Sequence, residues 1–327
     1  MRAGKVSESV LKRSVLRQIK QNQKEIRIGA GIGEDCAVFA PFADALPVTC
    51  LQEAAVATKA DMERLLFRCS NNLAAAGAKP IAAMIGIFLP CEAEEDFLKE
   101  MMKTAAEVSG RIGMQIAGGH TTVGSQVNQS IVSVTAFGKR PEDLKLQGVM
   151  PGQDIVVSKW IGLEGTAFLA QKYREELSGR YPSYLVEEAC AFYRYLSVEK
   201  EAQLALQADV CAMHDVSEGG IFAALWEMAQ KAGVGLQADL RKIPIRQETV
   251  EVCEQVGANP YELCSSGSLL MTAWDGEKLA ETLRQQQIPA QVIGKVTKGN
   301  ERLLLNEDEV RYLDKPAMDE IFRIGKE

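Results

Sequence analysis

Histidine and closely paired cysteine are scarce in this sequence, and that scarcity excludes several classes of site. Only two histidines occur among the 327 residues, and the eight cysteines include no C-x-x-C pair. Zinc sites and disulfide frameworks depend on such groupings, so we expect neither. Scattered thiols are typical of a reducing compartment, and the sequence therefore predicts a cytoplasmic protein.

Long apolar runs and an excess of basic charge are also missing. The longest apolar stretch, residues 81–91, is about half the length that crosses a bilayer. No signal peptide is expected, because no uninterrupted apolar segment lies near the N-terminus. A formal net charge of −7 argues against nucleic-acid binding, which needs clustered lysine and arginine to displace phosphate counterions. We expect neither nucleic acid nor a membrane as a partner.

The one locally basic segment lies at the N-terminus, where lysines and arginines accompany a single acid, Glu8. Apolar residues recur at helical spacing from Val6 to Ile19, which predicts an amphipathic helix. We favour a helix docked on its own domain with a solvated basic face. A helix lying on a membrane surface is the alternative.

The length suits two domains, each with a core of its own. The polar, proline- and glycine-containing residues 139–152 mark the boundary. In the first half the hydrophobic pattern predicts strands at 36–40, 46–51, 81–89, 114–117 and 130–138, and helices at 60–77 and 92–110. This order predicts an α/β fold, a two-layer α+β arrangement with helices packed on one sheet. In the second half we expect a strand at 154–159, helices at 183–206 and 219–232, and alternating elements up to residue 313.

A first glycine-rich motif, Gly31-x-Gly33-Glu34-Asp35, resembles a phosphate loop joined to a magnesium ligand. Mg²⁺ prefers oxygen donors together with substrate phosphate, so Asp35 is the expected ligand and Glu34 its support. The motif is not a Walker loop, because the sequence has no Gly-Lys-Ser or Gly-Lys-Thr. A dinucleotide fingerprint is excluded because G-x-G-x-x-G fails at Cys36.

Each histidine stands beside a pair of glycines. His120 follows Gly118-Gly119 in a predicted turn between strands, and His214 precedes Gly219-Gly220 at the start of an apolar helix. Glycines allow close approach of a ligand to the backbone, and the free N–H groups of a helix beginning at Gly219 would face an anion. Two structural alternatives stay open: Asp215 or Ser217 caps that helix, and His120 is a structural histidine.

Taken in order, the motifs at residues 31–38, 71–80, 118–121 and 214–220 resemble those of the aminoimidazole ribonucleotide synthetase (AIR synthase, PurM-like) superfamily. The resemblance covers residues 28–310. Residues 257–263 and the predicted strand 265–273 make it most similar to the HypE and HypE-like AIR synthase-related proteins, which act in hydrogenase maturation.

The resemblance implies a helical extension (1–27), a PurM-like ATP-binding and dimerisation domain (28–148) and an AIR synthase C-terminal-like domain (149–327). It implies a homodimer, with ATP and Mg²⁺ as cofactors and an unidentified small-molecule or protein-borne acceptor. The reaction would be ATP-dependent phosphorylation of an amide- or carbonyl-type oxygen. Glycine-flanked segments of both halves would then meet the polyphosphate.

Residue by residue, the resemblance implies three groups of site residues. The catalytic group is Asp35, His120 and Asp215, and the metal ligands are Asp35 and Glu53. The ATP-binding group is Gly31, Gly33, Glu34, Asn72, Gly118, Gly119, Thr121, Ser217, Glu218, Gly219 and Gly220.

The sequence departs from the family pattern at positions where the family has acidic residues. Asn72 and His120 stand where the family has carboxylates, and Glu53 is the only acid available near the end of the second strand. An amide brings no charge to hold Mg²⁺, and imidazole suits softer metals. The last cysteine is Cys264, so a substrate carried on a C-terminal cysteine is not expected. The alternatives are a non-catalytic nucleotide- or partner-binding homodimer and a kinase similar to thiamine-monophosphate kinase.

Overall fold

The computed structural model describes residues 3–34, 36–42 and 44–324, so the predicted magnesium ligand Asp35 lies outside the described residues. The chain divides into two compact units, Met1–Leu144 and Lys145–Glu327. Each unit contains a sheet covered by helices, which confirms the predicted α/β class.

The first unit is built on a five-stranded mixed sheet in the order β1-β6-β5-β7-β4. A separate two-stranded ribbon is formed by β2 and β3. The strands are β1 Gly4–Lys5, β2 Ile26–Ile28, β3 Val38–Phe39, β4 Ala45–Ala55, β5 Lys79–Leu89, β6 Gln115–Val123 and β7 Ile131–Pro141; the helices are α1 Glu8–Val10, α2 Lys59–Ala75 and α3 Glu95–Ile112.

The sequence of helix α2 accounts for the residue at which it begins and for the face that it buries. Its N-terminus is a capping box, in which the Thr58 hydroxyl accepts from the Asp61 N–H and the Asp61 carboxylate accepts from the Thr58 N–H. Its apolar face, which includes Met62, Leu65 and Leu73, is buried against the sheet and α3. The predicted helix at 60–77 is thus confirmed to within two residues.

One face of the first sheet is buried and the other is largely open. Alternate residues of β5 and β7, among them Ile85, Leu89 and Val134, are buried beneath α2 and α3. The intervening residues are half-exposed, and part of that open face is covered by β2 and β3, whose Phe39 packs on Phe137. The alternation follows from the two-residue period of a strand.

The basic N-terminal segment packs on its own unit. Helical turns extend from α1 through residues 11–18 and lie against α3. Arg13 and Ser14 donate hydrogen bonds to the Glu95 carboxylate on α3. Before these turns, β1 joins the sheet edge by pairing with β6. The predicted docking of this segment on its own domain is therefore confirmed.

The second unit has a seven-stranded sheet in the order β14-β13-β10-β12-β8-β11-β9. Its strands are β8 Asp154–Ser158, β9 Ala212–Val216, β10 Gly235–Asp239, β11 Ser268–Ala273, β12 Ala290–Thr297, β13 Arg302–Asn306 and β14 Glu309–Tyr312. Its helices are α4 Leu163–Lys172, α5 Arg174–Arg180, α6 Ser183–Cys190, α7 Glu199–Gln207, α8 Gly220–Ala232, α9 Gln247–Val256, α10 Gly276–Gln285 and α11 Glu320–Ile324.

A buried ion pair ties two parts of this second unit together. The Lys159 ammonium, at the end of β8, pairs with Glu201 of α7 at 2.5 Å. It also donates to the carbonyl oxygens of Tyr195 and Ser197, at 2.9 and 2.6 Å. Burial lowers the pKa of Lys159 and Glu201 opposes that effect. With all three ammonium protons engaged, this lysine is structural.

Among the described residues, no helix has both the length and the apolar character needed to cross a bilayer.

Candidate functional site

A cleft of about 450 Å³ opens on the first unit and brings two of the predicted motifs together. We call it the first-unit cleft. One wall carries Gly31, Gly33 and Glu34, and the residues of β6 from Gly118 to Thr121 form another. The N-terminal helical turns contribute Leu11, Val15 and Leu16. Its volume lies within the range of ordinary small-molecule sites.

The loop from Gly31 to Glu34 is an exposed turn at the rim of this cleft. Gly33 has φ +79°, a left-handed conformation that glycine adopts without strain. Glu34 is the carboxylate that the described residues bring to the cleft lining.

The sequence predicts a turn at Gly118-Gly119-His120, and this prediction is wrong. These residues lie inside strand β6, which runs parallel to β5 and has its bulge at Ala117, opposite the Ala83–Met84 step of β5. A Cβ added at Gly119 would stand 2.1 Å from the carbonyl oxygen of Ile85. The glycine pair therefore permits close strand packing, and His120 is presented by a sheet rather than by a loop.

Three polar residues of the cleft were not foreseen from the sequence: Lys5 on β1 and Ser133 and Thr135 on β7. The hydroxyl residues occupy outward positions in the alternating strand Ile131–Pro141. That alternation signals an open face, but it does not reveal which strands lie beside it. Lys5 belongs to a two-residue strand, which is too short to leave a periodic signal.

Two predicted ligands lie away from the cleft lining. Asn72 is half-exposed on α2, and Glu53 is exposed on the edge strand β4. No cluster of three or more histidine, cysteine, aspartate or glutamate side chains suited to a metal ion occurs among residues 3–34, 36–42 and 44–324. The glycine-lined walls and Lys5 suit a polyphosphate, and Glu34 is the one carboxylate that the described residues add to the cleft lining.

The third motif belongs to the second unit. His214 and Asp215 are on β9, which pairs with β11, and Ser217 to Gly220 lead into α8. Asp215 is buried and Glu218 is exposed. Gly219 and Gly220 both have positive φ, and a Cβ at Gly220 would stand 2.5 Å from the carbonyl oxygen of Tyr261. The segment 257–263 thus packs directly on the start of α8.

Ser217 does not cap α8 with its side chain. The helix begins after Gly219, and Ser217 contributes its carbonyl oxygen, which accepts from the N–H groups of Gly220 and Ser265 at 3.1 and 3.2 Å. The first N–H of the turn is not free either, because Gly219 donates to the Asp319 carboxylate at 2.7 Å. The expectation of an open anion site there is therefore corrected: the chain supplies its own carboxylate.

His214 is half-buried, and both of its ring nitrogens have partners. Nδ1 lies 2.7 Å from the carbonyl oxygen of Asp215, and Nε2 lies 3.2 Å from a carboxylate oxygen of Glu227. Burial acts to lower the pKa of His214, but the hydrogen bond to Glu227 and the negative charges outweigh it and raise that pKa.

Two family models match this chain. The AIR synthase related protein N-terminal domain matches residues 33–139, and the AIR synthase related protein C-terminal domain matches residues 150–305. The two matches fall one in each structural unit.

Individual proteins of known name are also similar to this chain in sequence. A hydrogenase expression/formation protein of Methanocaldococcus jannaschii is 29% identical over 262 residues, which is 78% of this chain and 76% of the relative. The carbamoyl dehydratase HypE of Rhodobacter capsulatus is 29% identical over 217 residues, or 64% of this chain and 61% of that protein.

Solved structures share the fold. The hydrogenase maturation protein HypE in complex with ATP superposes with a TM-score of 0.79 at 17% identity, covering 96% of this chain and 95% of that one. A HypE–HypF complex gives 0.67 at 20% identity, covering 84% and 93%. A thiamine-monophosphate kinase of Stenotrophomonas maltophilia gives 0.71 at 21% identity, covering 93% and 98%.

Proposed function

Because the chain belongs to the AIR synthase related protein family, we propose that it is an ATP-dependent enzyme of the HypE-like type that acts in hydrogenase maturation. The observation that carries the proposal is the first-unit cleft, where the Gly31–Glu34 loop and the Gly118–Thr121 part of β6 line one cavity. Relatives named as carbamoyl dehydratases and a HypE structure with ATP support the choice of reaction and nucleotide.

In the proposed reaction the chain phosphorylates an amide- or carbonyl-type oxygen. The oxygen attacks the γ-phosphorus of ATP, ADP leaves, and the new phosphate ester is a better leaving group than the original oxygen. Phosphoryl transfer depends mainly on positioning and charge stabilisation. Gly31 and Gly33 would let the backbone approach the phosphates, and Lys5 would stabilise their charge.

His120 is the proposed general base for the amide proton. It is exposed and lines the cleft, and an imidazole ring nitrogen can act as a proton acceptor. Asp35 and Asp215 stay proposed catalytic residues on the strength of the family resemblance. No step is assigned to Mg²⁺, because the described residues bring a single carboxylate, Glu34, to the cleft.

We further propose a homodimer that meets a partner protein. The family resemblance is the ground for proposing the homodimer. The HypE–HypF complex is the ground for proposing a partner protein.

Calorimetry and product analysis test the function. ATP should bind the full-length protein, and at 100 times its Kd it should stabilise the fold by about 2.7 kcal/mol. A carbamoylated peptide should then be dehydrated with release of ADP and phosphate, and His120→Gln should abolish that release.

A non-catalytic nucleotide- or partner-binding homodimer is the second candidate, favoured by His120 and Asn72 at positions where the family has acids. It predicts ATP binding with no ADP release from any carbamoylated or amide acceptor. Absence of ATP binding would reject the ATP-dependent enzyme and the kinase alternative, and would leave only the partner-binding form of the homodimer.

A further inference from the structure

Gly86 lies in the interior of β5, where glycine is unfavourable because it adds no packing and costs chain entropy. Its φ is outside the left-handed region, so the backbone does not require glycine. A Cβ built there would meet only Ser133, with its Cβ at 3.8 Å and its carbonyl oxygen at 3.9 Å, which is ordinary contact. Neither strain nor crowding explains this glycine, and its effect is to leave space in the first-unit cleft.

Polar side chains surround that space. Gly86 pairs with His120 on one neighbouring strand and with Ser133 on the other. Cross-strand partners rise from the same face of a sheet, and strands lie about 4.8 Å apart, so His120 and Ser133 stand about 10 Å apart with Gly86 between them. All three residues line the cleft.

Lys5 completes the group from the sheet edge. It pairs with Thr122, which is two residues beyond His120 and therefore on the same face. Diagonal neighbours of this kind are about 7 Å apart, within reach of a lysine side chain. Lys5 is also exposed and lines the cleft.

The chemistry of this arrangement suits a tetrahedral oxyanion. An ammonium supplies positive charge, and an imidazole N–H and a hydroxyl supply hydrogen bonds from either side of an unobstructed floor. The carboxylate of Glu34 lies on the cleft wall, and Glu53, which pairs with Ser133 from the next strand, is not among the residues that line the cleft. The donors are those that phosphate accepts directly, with no metal ion between.

We propose that Gly86 forms the floor of a phosphate subsite flanked by His120, Ser133 and Lys5, and that this subsite binds a phosphate group without Mg²⁺. The inference rests on the proposed function only in that ATP would bring the phosphate. To the proposed function, the subsite adds the place where one phosphate binds and the expectation that this binding needs no metal ion.

Pyrophosphate is the probe, titrated calorimetrically into the full-length protein in EDTA and again with Mg²⁺. The wild type should bind in EDTA within about threefold of its affinity with Mg²⁺. Gly86→Ala and Lys5→Met should each weaken binding at least tenfold. Gly110→Ala, on α3 with nothing within 4 Å of the added Cβ, is the matched control and should bind as the wild type does. Ser133→Ala serves as a second variant should Gly86→Ala fail to fold.

The possible results separate the two proposals. Binding that requires Mg²⁺, or that Gly86→Ala leaves unchanged, overturns the subsite. A parallel titration with ATP tests the function: if pyrophosphate behaves as expected while ATP does not bind, the subsite stands and the nucleotide-dependent function falls. If ATP binds only with Mg²⁺ and Gly86→Ala does not weaken that binding, the subsite falls and the nucleotide-dependent function stands.

Discussion

The carboxylate of Asp319 accepts a hydrogen bond from the backbone N–H of Gly219 at 2.7 Å, across 100 positions of sequence. Its other oxygen accepts from the N–H of Ile321 at 2.9 Å. Asp319 is 4% exposed, and α11 behind it is held by Ile321 and Ile324 in an apolar cluster. The C-terminal segment thereby closes the start of α8 from within the second unit.

Replacing Asp319 with asparagine should destabilise the protein by about 1–3 kcal/mol, because the amide cannot accept from both N–H groups. Burial raises the pKa of Asp319 despite these hydrogen bonds. Its contribution to stability is therefore full below the ordinary carboxyl pKa of about 3.9 and declines as pH rises through the raised value. Urea unfolding should show a larger loss for Asp319→Asn at pH 4 than at pH 7. Asp314→Asn, an exposed neighbour on the same segment, should show almost none; an equal loss at both pH values would contradict the prediction.

The pair His214–Glu227 should be visible by NMR, because the sequence has only two histidines. Burial lowers the pKa of His214 and Glu227 raises it, so Glu227→Gln should lower that pKa. The stability that this pair contributes is full below pH 6.5 and is lost as pH rises through the raised pKa. Titration of the two imidazole signals, assigned with His120→Gln, measures the shift. A His214 pKa unchanged by Glu227→Gln would refute it.

The ion pair Lys159–Glu201 should be costly to break. Glu201→Gln removes the negative partner of an ammonium that is buried, which typically costs about 3–5 kcal/mol. Glu277→Gln breaks the exposed pair with Arg284, and a loss of at most about 1 kcal/mol is expected there. Equilibrium unfolding of the two variants makes the comparison. Similar losses in both would show that Lys159 does not depend on Glu201.

Docking of the N-terminal helical turns should depend on Glu95. Hydrogen bonds from Arg13 and Ser14 lower the pKa of Glu95 to about 2. The bond is thus intact above the ordinary glutamate pKa and is lost as pH falls towards 2. Glu95→Gln should speed hydrogen exchange in residues 8–18 at neutral pH, whereas Glu94→Gln, at the exposed neighbouring position, should not. Unchanged exchange in Glu95→Gln would mean that apolar packing alone holds the segment.

Two glycines of adjacent strands should respond oppositely to alanine. Gly119→Ala places a Cβ 2.1 Å from the Ile85 carbonyl oxygen, and overpacking of this kind costs about 1–3 kcal/mol or more. Gly86→Ala meets only ordinary contacts and should leave the free energy of unfolding unchanged or slightly increased. Thermal and urea unfolding test both. A large loss in Gly86→Ala would mean that this glycine is needed for packing.

The sequence predicted correctly the elements whose signals lie within one segment. It failed where the extent of a strand depends on pairing with a strand that is distant in sequence. Helix α2 was found because its apolar face and the Gly77 and Pro80 that follow it are all within one segment. Strand β6 was cut short because a glycine pair usually marks a turn, whereas pairing with β5 overrides that preference. The predicted fold class did not depend on this boundary.

The candidate site was likewise predicted only in part. Gly31, Glu34 and His120 were identified because glycine-flanked polar residues form recognisable motifs. Ser133 and Lys5 were missed because their role depends on strand order, and Asp319 because its partner lies 100 residues away. Such contacts join segments that no local pattern connects.

The position of β4 has a practical consequence for every variant proposed above. Its eleven residues pair with β7 on one side, and no strand of the described chain pairs with the other side. A strand edge of this length is a template for β-addition, and only Pro47 and the charge of Glu53 interrupt it. Substituting either residue would promote edge-to-edge aggregation. Material lost in that way would be mistaken for misfolding, so both positions should be kept intact when other residues are tested.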